Sequence, residues 1–214
     1  TVVVPSAMRV SVVVGGAGAV PPRAGGEQAP TAIYLHGIQG RPENGCPWVG
    51  SDAFGWLVCP SATIANGNGT FSWAWSSADT AVITRAEALA RARGATDGPP
   101  VLVGFSQGAY IAARIATERP GRYRALVLIG ADVPLDGRSL ARAGVTRVAL
   151  LAGDHDGASL PMRRAANTLA AAGIDARFTS LGRAGHTYVP ETADHAARLS
   201  AALRWAATAS RPES

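Results

Sequence analysis

Residues 101–110, Val101-Leu102-Val103-Gly104-Phe105-Ser106-Gln107-Gly108-Ala109-Tyr110, decide how the rest of the chain is read. Three apolar residues run into Gly104-Phe105-Ser106-Gln107-Gly108. A helix-forming run, Ala109-Tyr110-Ile111-Ala112-Ala113, follows. The pattern G-x-S-x-G between a buried strand and a helix is the nucleophile elbow, in which the serine hydroxyl projects from a tight, strained turn. Side chains two residues either side would collide there, and glycines at 104 and 108 remove the collision. The helix behind the serine offers backbone N–H groups and a positive dipole end to developing negative charge. The competing reading is a glycine-flanked turn with an ordinary serine, and the rest of the sequence has to decide between them.

Outward from this stretch, short apolar runs alternate with helical ones. Strands are expected at Arg9–Val14, with a short one before it at 2–4, then at Thr31–Leu35, Trp56–Pro60, Val101–Phe105, Ala125–Ile129, 145–151 and 176–181. Helices are expected from Asp79 as N-cap to Gly94, from Ser106 to about Thr117, from Ser159 as N-cap over 160–172, and over 191–207. The stretches 15–30, 41–55 and 61–77 read as loops rich in Gly, Pro and polar residues. Continuously apolar strands alternating with helices imply a mostly parallel sheet of about seven strands, covered by helices on both faces. Reactive groups in such sheets gather beyond the carboxyl ends of the strands.

Composition fits that picture. The chain has 214 residues, of which 47% are hydrophobic and 16% charged. A single domain of this length buries about 70% of its unfolded surface, so no metal or cofactor is needed to hold it together. Disorder is excluded by the apolar content, and no stretch approaches the roughly 18 apolar residues that span a bilayer. The formal net charge is +5, and all twenty basic residues are Arg. They are spread along the chain without a basic run, which makes no case for a nucleic-acid partner. Cys46 and Cys59 fall in one inter-strand region. A Cys46–Cys59 disulfide is the favoured reading and points towards export; the alternative is two reduced cysteines, one on a loop and one in a strand.

The positions just after each strand hold the candidate chemistry. A serine needs a base to take its proton, and the base needs a carboxylate to orient it. The order Ser…Asp…His goes with the elbow motif, and here it reads Ser106, Asp156, His186, each on its own post-strand loop. His186 is preferred as base over His36, which is expected to pack beneath the site, over His155, which flanks the acid, and over His195, expected to be a solvated helix residue. For the acid, Asp156 follows Gly153 in a G-x-x-D arrangement, with Asp132 and then Asp154 as alternatives. A metal at Asp154-His155-Asp156 is disfavoured, because adjacent residues rarely converge on one ion. The oxyanion donors expected are the amide of Gln107 and, from His36-Gly37-Ile38-Gln39-Gly40, that of Ile38.

Taken together, strand–HGIQG, strand–GFSQG–helix, strand–GDHD and a late GH resemble the α/β-hydrolase superfamily over residues 31–207. Within it the chain is similar to small serine esterases of the carboxylesterase/lysophospholipase group and of the feruloyl-esterase or polyhydroxyalkanoate-depolymerase-like group. The resemblance implies one α/β-hydrolase domain over 1–214 without a cap domain, since only about fifteen residues separate the strands ending at Ile129 and starting at 145. It implies hydrolysis of a small-molecule ester or acyl substrate without a cofactor, the alternatives being a thioesterase or peptidase with the same triad, or a non-catalytic binding protein on the same fold. Trp48, Trp73 and Trp75 would line the substrate pocket, the alternative being satellite core beneath long loops. No nucleic-acid partner and no membrane span are expected, and the protein would be a monomer or homodimer.

Overall fold

The computed structural model describes residues 2–3, 9–14, 30–44, 53–95 and 97–208, the first two segments by their backbone. Ten strands and five helices follow one another along the described chain. They are β1 (Val2–Val3), β2 (Arg9–Val14), β3 (Thr31–Leu35), β4 (Trp56–Pro60), β5 (Ile64–Ala65), β6 (Phe71–Ser72), α1 (Ser77–Arg91), β7 (Val101–Phe105), α2 (Gln107–Glu118), β8 (Ala125–Ile129), α3 (Gly137–Arg142), β9 (Arg147–Ala152), α4 (Ser159–Ala171), β10 (Asp175–Ser180) and α5 (Ala193–Ala207). The main sheet has eight strands in the order β1-β2-β4-β3-β7-β8-β9-β10. From β4 to β10 all neighbours are parallel, whereas β2 joins β4 and β1 joins β2 antiparallel. This is the doubly covered, mostly parallel sheet expected from the alternating apolar runs.

The central strands β3, β7 and β8 are apolar along almost their whole length because both faces are covered, whereas β10 at the sheet edge carries Asp175, Arg177 and Thr179. Side chains alternate between two layers. Ile33, Leu35, Leu102, Leu126, Leu128, Val148 and Leu150 pack with Ile83 of α1, Ile111 and Ile115 of α2, Leu140 of α3, and Met162 and Leu169 of α4. Their neighbours Ala32, Tyr34, Val101, Val103, Val127, Ile129 and Leu151 pack with Leu199, Leu203 and Ala206 of α5. Each large aliphatic side chain so buried is worth roughly 1.5–3 kcal/mol. A slip of one residue in any central strand would exchange the two layers, so the register is firmly set.

Four features of the sequence reading are corrected. The α1 helix is capped by Ser76, not Asp79: Ser76 accepts from the Ala78 amide, and Asp79 reaches back to the Ser76 amide as the other half of a capping box. The α4 helix has no side-chain N-cap at Ser159, because Asp156 accepts from the amide of Ala158 through its carboxylate and from that of Ser159 through its carbonyl. The 61–77 stretch contains the β5–β6 hairpin, whose turn uses Gly67 and Gly69 at positive φ. Residues 137–142, read as connection, form α3, capped by the Asp136 carboxylate on the amides of Arg138 and Ser139. Between β8 and β9 stands only this short helix, so there is no inserted cap domain.

Candidate active site

Ser106 terminates β7 and precedes α2 with φ 51 and ψ −120, a left-handed conformation that costs a non-glycine residue about 1–3 kcal/mol. The flanking glycines make the turn sterically feasible. A Cβ on Gly104 would lie 2.4 Å from the Gly108 carbonyl oxygen, and one on Gly108 would lie 2.0 Å from the Leu35 carbonyl oxygen. The Ser106 amide donates to Ile129 O at 2.9 Å, which fixes the elbow against the end of β8.

The loop after β3 lies directly beside the serine. A Cβ on Gly37 would stand 3.3 Å from Ser106 Cβ. Within this loop His36 is fully buried, as expected of a residue beneath the site. Its Nδ1–H donates to Gly37 O at 2.8 Å and its Nε2 accepts from the Ala62 amide at 3.2 Å, which defines a neutral tautomer. Burial holds the His36 pKa below its ordinary value. The amides of Ile38 and Gln107 donate no hydrogen bond among the described residues.

The loops after β9 and β10 clasp each other. The Asp154 amide donates to Gly182 O at 2.8 Å and the His155 amide to Ala184 O at 3.1 Å. Gly153 permits the approach, since a Cβ there would meet the Ala184 carbonyl at 2.0 Å. The clasp brings Asp156 to His186, whose Nδ1 lies 2.9 Å from Asp156 Oδ2. The other carboxylate oxygen accepts from the Ala158 amide at 2.9 Å, so the carboxylate is held at both ends. The His186 ring packs on Phe105, the residue before Ser106, at a centroid distance of 4.9 Å. Tyr188 anchors the same loop, packing on Phe105 at 4.6 Å and Tyr34 at 5.7 Å. Gly130, at φ 60, leaves room for the pair: a Cβ there would sit 3.0 Å from Asp156 Oδ2 and 3.1 Å from the His186 ring.

The Ser106 hydroxyl forms no hydrogen bond among the described residues. The carboxylate in contact with the imidazole is that of Asp156. Asp132 is exposed, and Asp154 accepts from Ser180 Oγ at 2.5 Å. His155 is exposed on the same turn. Among the described residues no group of three or more His, Cys, Asp or Glu is placed to hold a metal.

The expected pocket residues separate. Trp73 is 1% exposed and belongs to the core: its indole N–H donates to His36 O at 2.8 Å and its ring packs on His36 at 5.3 Å. It cannot line an open pocket. Trp75, in contrast, is 53% exposed at φ 60 and packs on Tyr110, one helical turn beyond Ser106, at 5.9 Å. A cleft of about 350 Å³ runs between Trp75, Tyr110 and Val133–Leu135. Trp48, Cys46 and therefore the Cys46–Cys59 pairing lie outside the described residues; Cys59 is buried in β4. The reading of His195 as a solvated residue is overturned. It is 2% exposed, with both ring nitrogens buried and without a hydrogen-bond partner among the described residues. The Tyr188 anchor and the Phe105 platform were not singled out from the sequence. Their signal was present as aromatics immediately beside His186 and Ser106.

This sheet order, with these post-strand loops, is the α/β-hydrolase fold. Solved structures of that fold resemble the chain over most of its length. The esterase PE8 aligns with a TM-score of 0.62 and 23% identity, over 86% of this chain and 96% of that one. A Bacillus cereus carboxylesterase aligns with a TM-score of 0.62 and 18% identity, over 96% of each chain. An S-formylglutathione hydrolase from Agrobacterium tumefaciens aligns with a TM-score of 0.60 and 16% identity, over 94% of this chain and 90% of that one. No protein-family model matches the chain, and no curated protein matches it by sequence.

Proposed function

We propose that this chain is a serine hydrolase that cleaves carboxylic esters through an acyl-serine intermediate, built as one α/β-hydrolase domain over residues 1–214. Ser106 attacks the ester carbonyl. His186 takes the hydroxyl proton at Nε2 and later gives it to the leaving alcohol. Asp156, on Nδ1, orients the imidazole and stabilises its cationic form. The amides of Ile38 and Gln107 hold the tetrahedral oxyanion. Water, activated by the same imidazole, then releases the acid and restores the serine. Trp75 and Tyr110 supply an apolar wall for part of the substrate.

One observation carries this reading: the Asp156–His186 pair, bonded at 2.9 Å, rests on Phe105 immediately before a serine held at φ 51. The solved esterases that share the fold support it. Ser106→Ala is expected to lower nitrophenyl-ester turnover by about three orders of magnitude or more, with an unchanged circular dichroism spectrum. It should also abolish labelling by a fluorophosphonate. Undiminished turnover in the folded variant would refute the assignment. Esters, thioesters and anilides presented side by side identify the preferred acyl derivative.

A further inference from the structure

We propose that the Gln107 side chain is a positioning residue that fastens one oxyanion donor to the other. This inference rests on the hydrolase reading above. The Gln107 carboxamide grips the backbone of Trp73 at both ends: Oε1 accepts from the Trp73 amide at 3.0 Å, and Nε2 donates to the Trp73 carbonyl at 3.3 Å. A neutral amide matched donor-to-acceptor against a peptide group is a two-point clamp, with little freedom to shift.

The clamped segment in turn holds the loop that carries Ile38. Trp73 Nε1 donates to His36 O at 2.8 Å. Gln39 N donates to Ser72 Oγ at 3.2 Å. The Phe71 amide donates to Gly40 O at 2.8 Å, as part of an isolated antiparallel bridge. Residues 36, 39 and 40 are thus tied to residues 71–73, and residue 73 is tied to residue 107. Ile38 itself is 62% exposed, and its side chain contributes no core packing that would fix the loop. Gln39, beside it, sits at φ 53, a conformation that needs outside support. The physical result is a closed circuit. Gln107 offers its own amide to the oxyanion, and through its side chain it sets the distance to the amide of Ile38. Loss of an oxyanion-hole donor lowers turnover by about 10²–10³-fold, and a donor displaced rather than removed should lose less.

The experiment compares Gln107→Met, which keeps the residue 107 amide and the side-chain length but removes both clamp bonds, with Trp73→Phe, which removes the indole donor together with part of the buried ring that packs on His36. Turnover, KM for a nitrophenyl ester, thermal midpoint and inhibition by a phenylboronic acid are measured for each. Boronate forms a tetrahedral adduct on the serine and reads the oxyanion donors directly. The expected result is a fall in kcat of about 10–100-fold in Gln107→Met, with KM within about threefold of the parent. Boronate affinity should fall in parallel. Trp73→Phe should move both quantities in the same direction, and the double variant should lose less than the product of the two. Unchanged kcat and boronate affinity in either folded variant overturn the proposal, as does a double variant whose losses multiply. If Gln107→Met does not fold, Trp73→Phe decides alone. Ser106→Ala separates the two levels. Activity that survives that variant removes the hydrolase reading itself, whereas activity lost there but undiminished in Gln107→Met removes only the clamp.

Discussion

Asp156 shows how much one side chain can settle. Its Oδ2 meets His186, its Oδ1 takes the Ala158 amide, and its backbone carbonyl takes the Ser159 amide that opens α4. The carboxylate is therefore already oriented before any substrate binds. Asp156→Asn keeps the shape and loses the charge. Its carboxamide can also present an N–H to His186 Nδ1, which would favour the wrong tautomer. Ester turnover at neutral pH is expected to fall by about 10³–10⁴-fold while thermal stability changes little. A loss under tenfold would return the acid role to Asp132 or Asp154. The contact of Asp156 with His186 and the tight turn at Ser106 were legible in the sequence because each of these residues stands on a loop or turn that follows a strand. The choice between Trp73 and Trp75 was not legible, since nothing in the sequence shows which indole the β5–β6 hairpin covers. The burial of His195 was hidden for a similar reason. A histidine in a helix reads as solvated unless the packing of its helix is known.

Among the elements, α1 and the hairpin before it depend on Asp79. This carboxylate is fully buried. It accepts from Thr63 Oγ1 at 2.6 Å, from the Ala74 amide at 3.1 Å and from the Ser76 amide at 3.1 Å, and it pairs with Arg114 of α2 at 3.2 Å. One residue thus joins the 61–76 stretch, the start of α1 and the outer face of α2. Asp79→Ala would strand several donors and a guanidinium. Denaturant unfolding is expected to show a loss of about 3–5 kcal/mol, and a loss under 1 kcal/mol would show that water replaces the carboxylate without penalty. The strands and the four longer helices were legible from apolar periodicity. Their exact ends were not, because caps compete locally: Ser76 and Asp79 both suit an N-cap, and only tertiary contacts decide which serves. The β5–β6 hairpin and α3 are too short to show a period. Even so, Asn66-Gly67-Asn68-Gly69 and Asp136-Gly137 carried turn and cap signals.

For the molecule as a whole, two interior imidazoles tie stability to pH. Burial holds both His36 and His195 below their ordinary value of 6.5, opposed weakly at His195 by Glu191 and Asp194. The unfolded chain takes up protons as pH falls through 6.5, while the folded protein does not until lower pH. Stability is therefore full above that value and declines below it. The thermal midpoint should be level from pH 8 to 7 and fall between pH 6.5 and 5. His195→Leu, which removes an unpartnered buried imidazole, should fall less steeply over that range. A midpoint flat from pH 7 to 5 in the parent protein would contradict this. The main chain at Ser106 bears on the same balance from the opposite direction. Its torsion angles suit a residue without a side chain, so the turn geometry at this position works against the folded state. Laboratory evolution that rewarded heat endurance alone would be drawn towards glycine there, yielding a sturdier molecule without the hydroxyl that the proposed reaction needs.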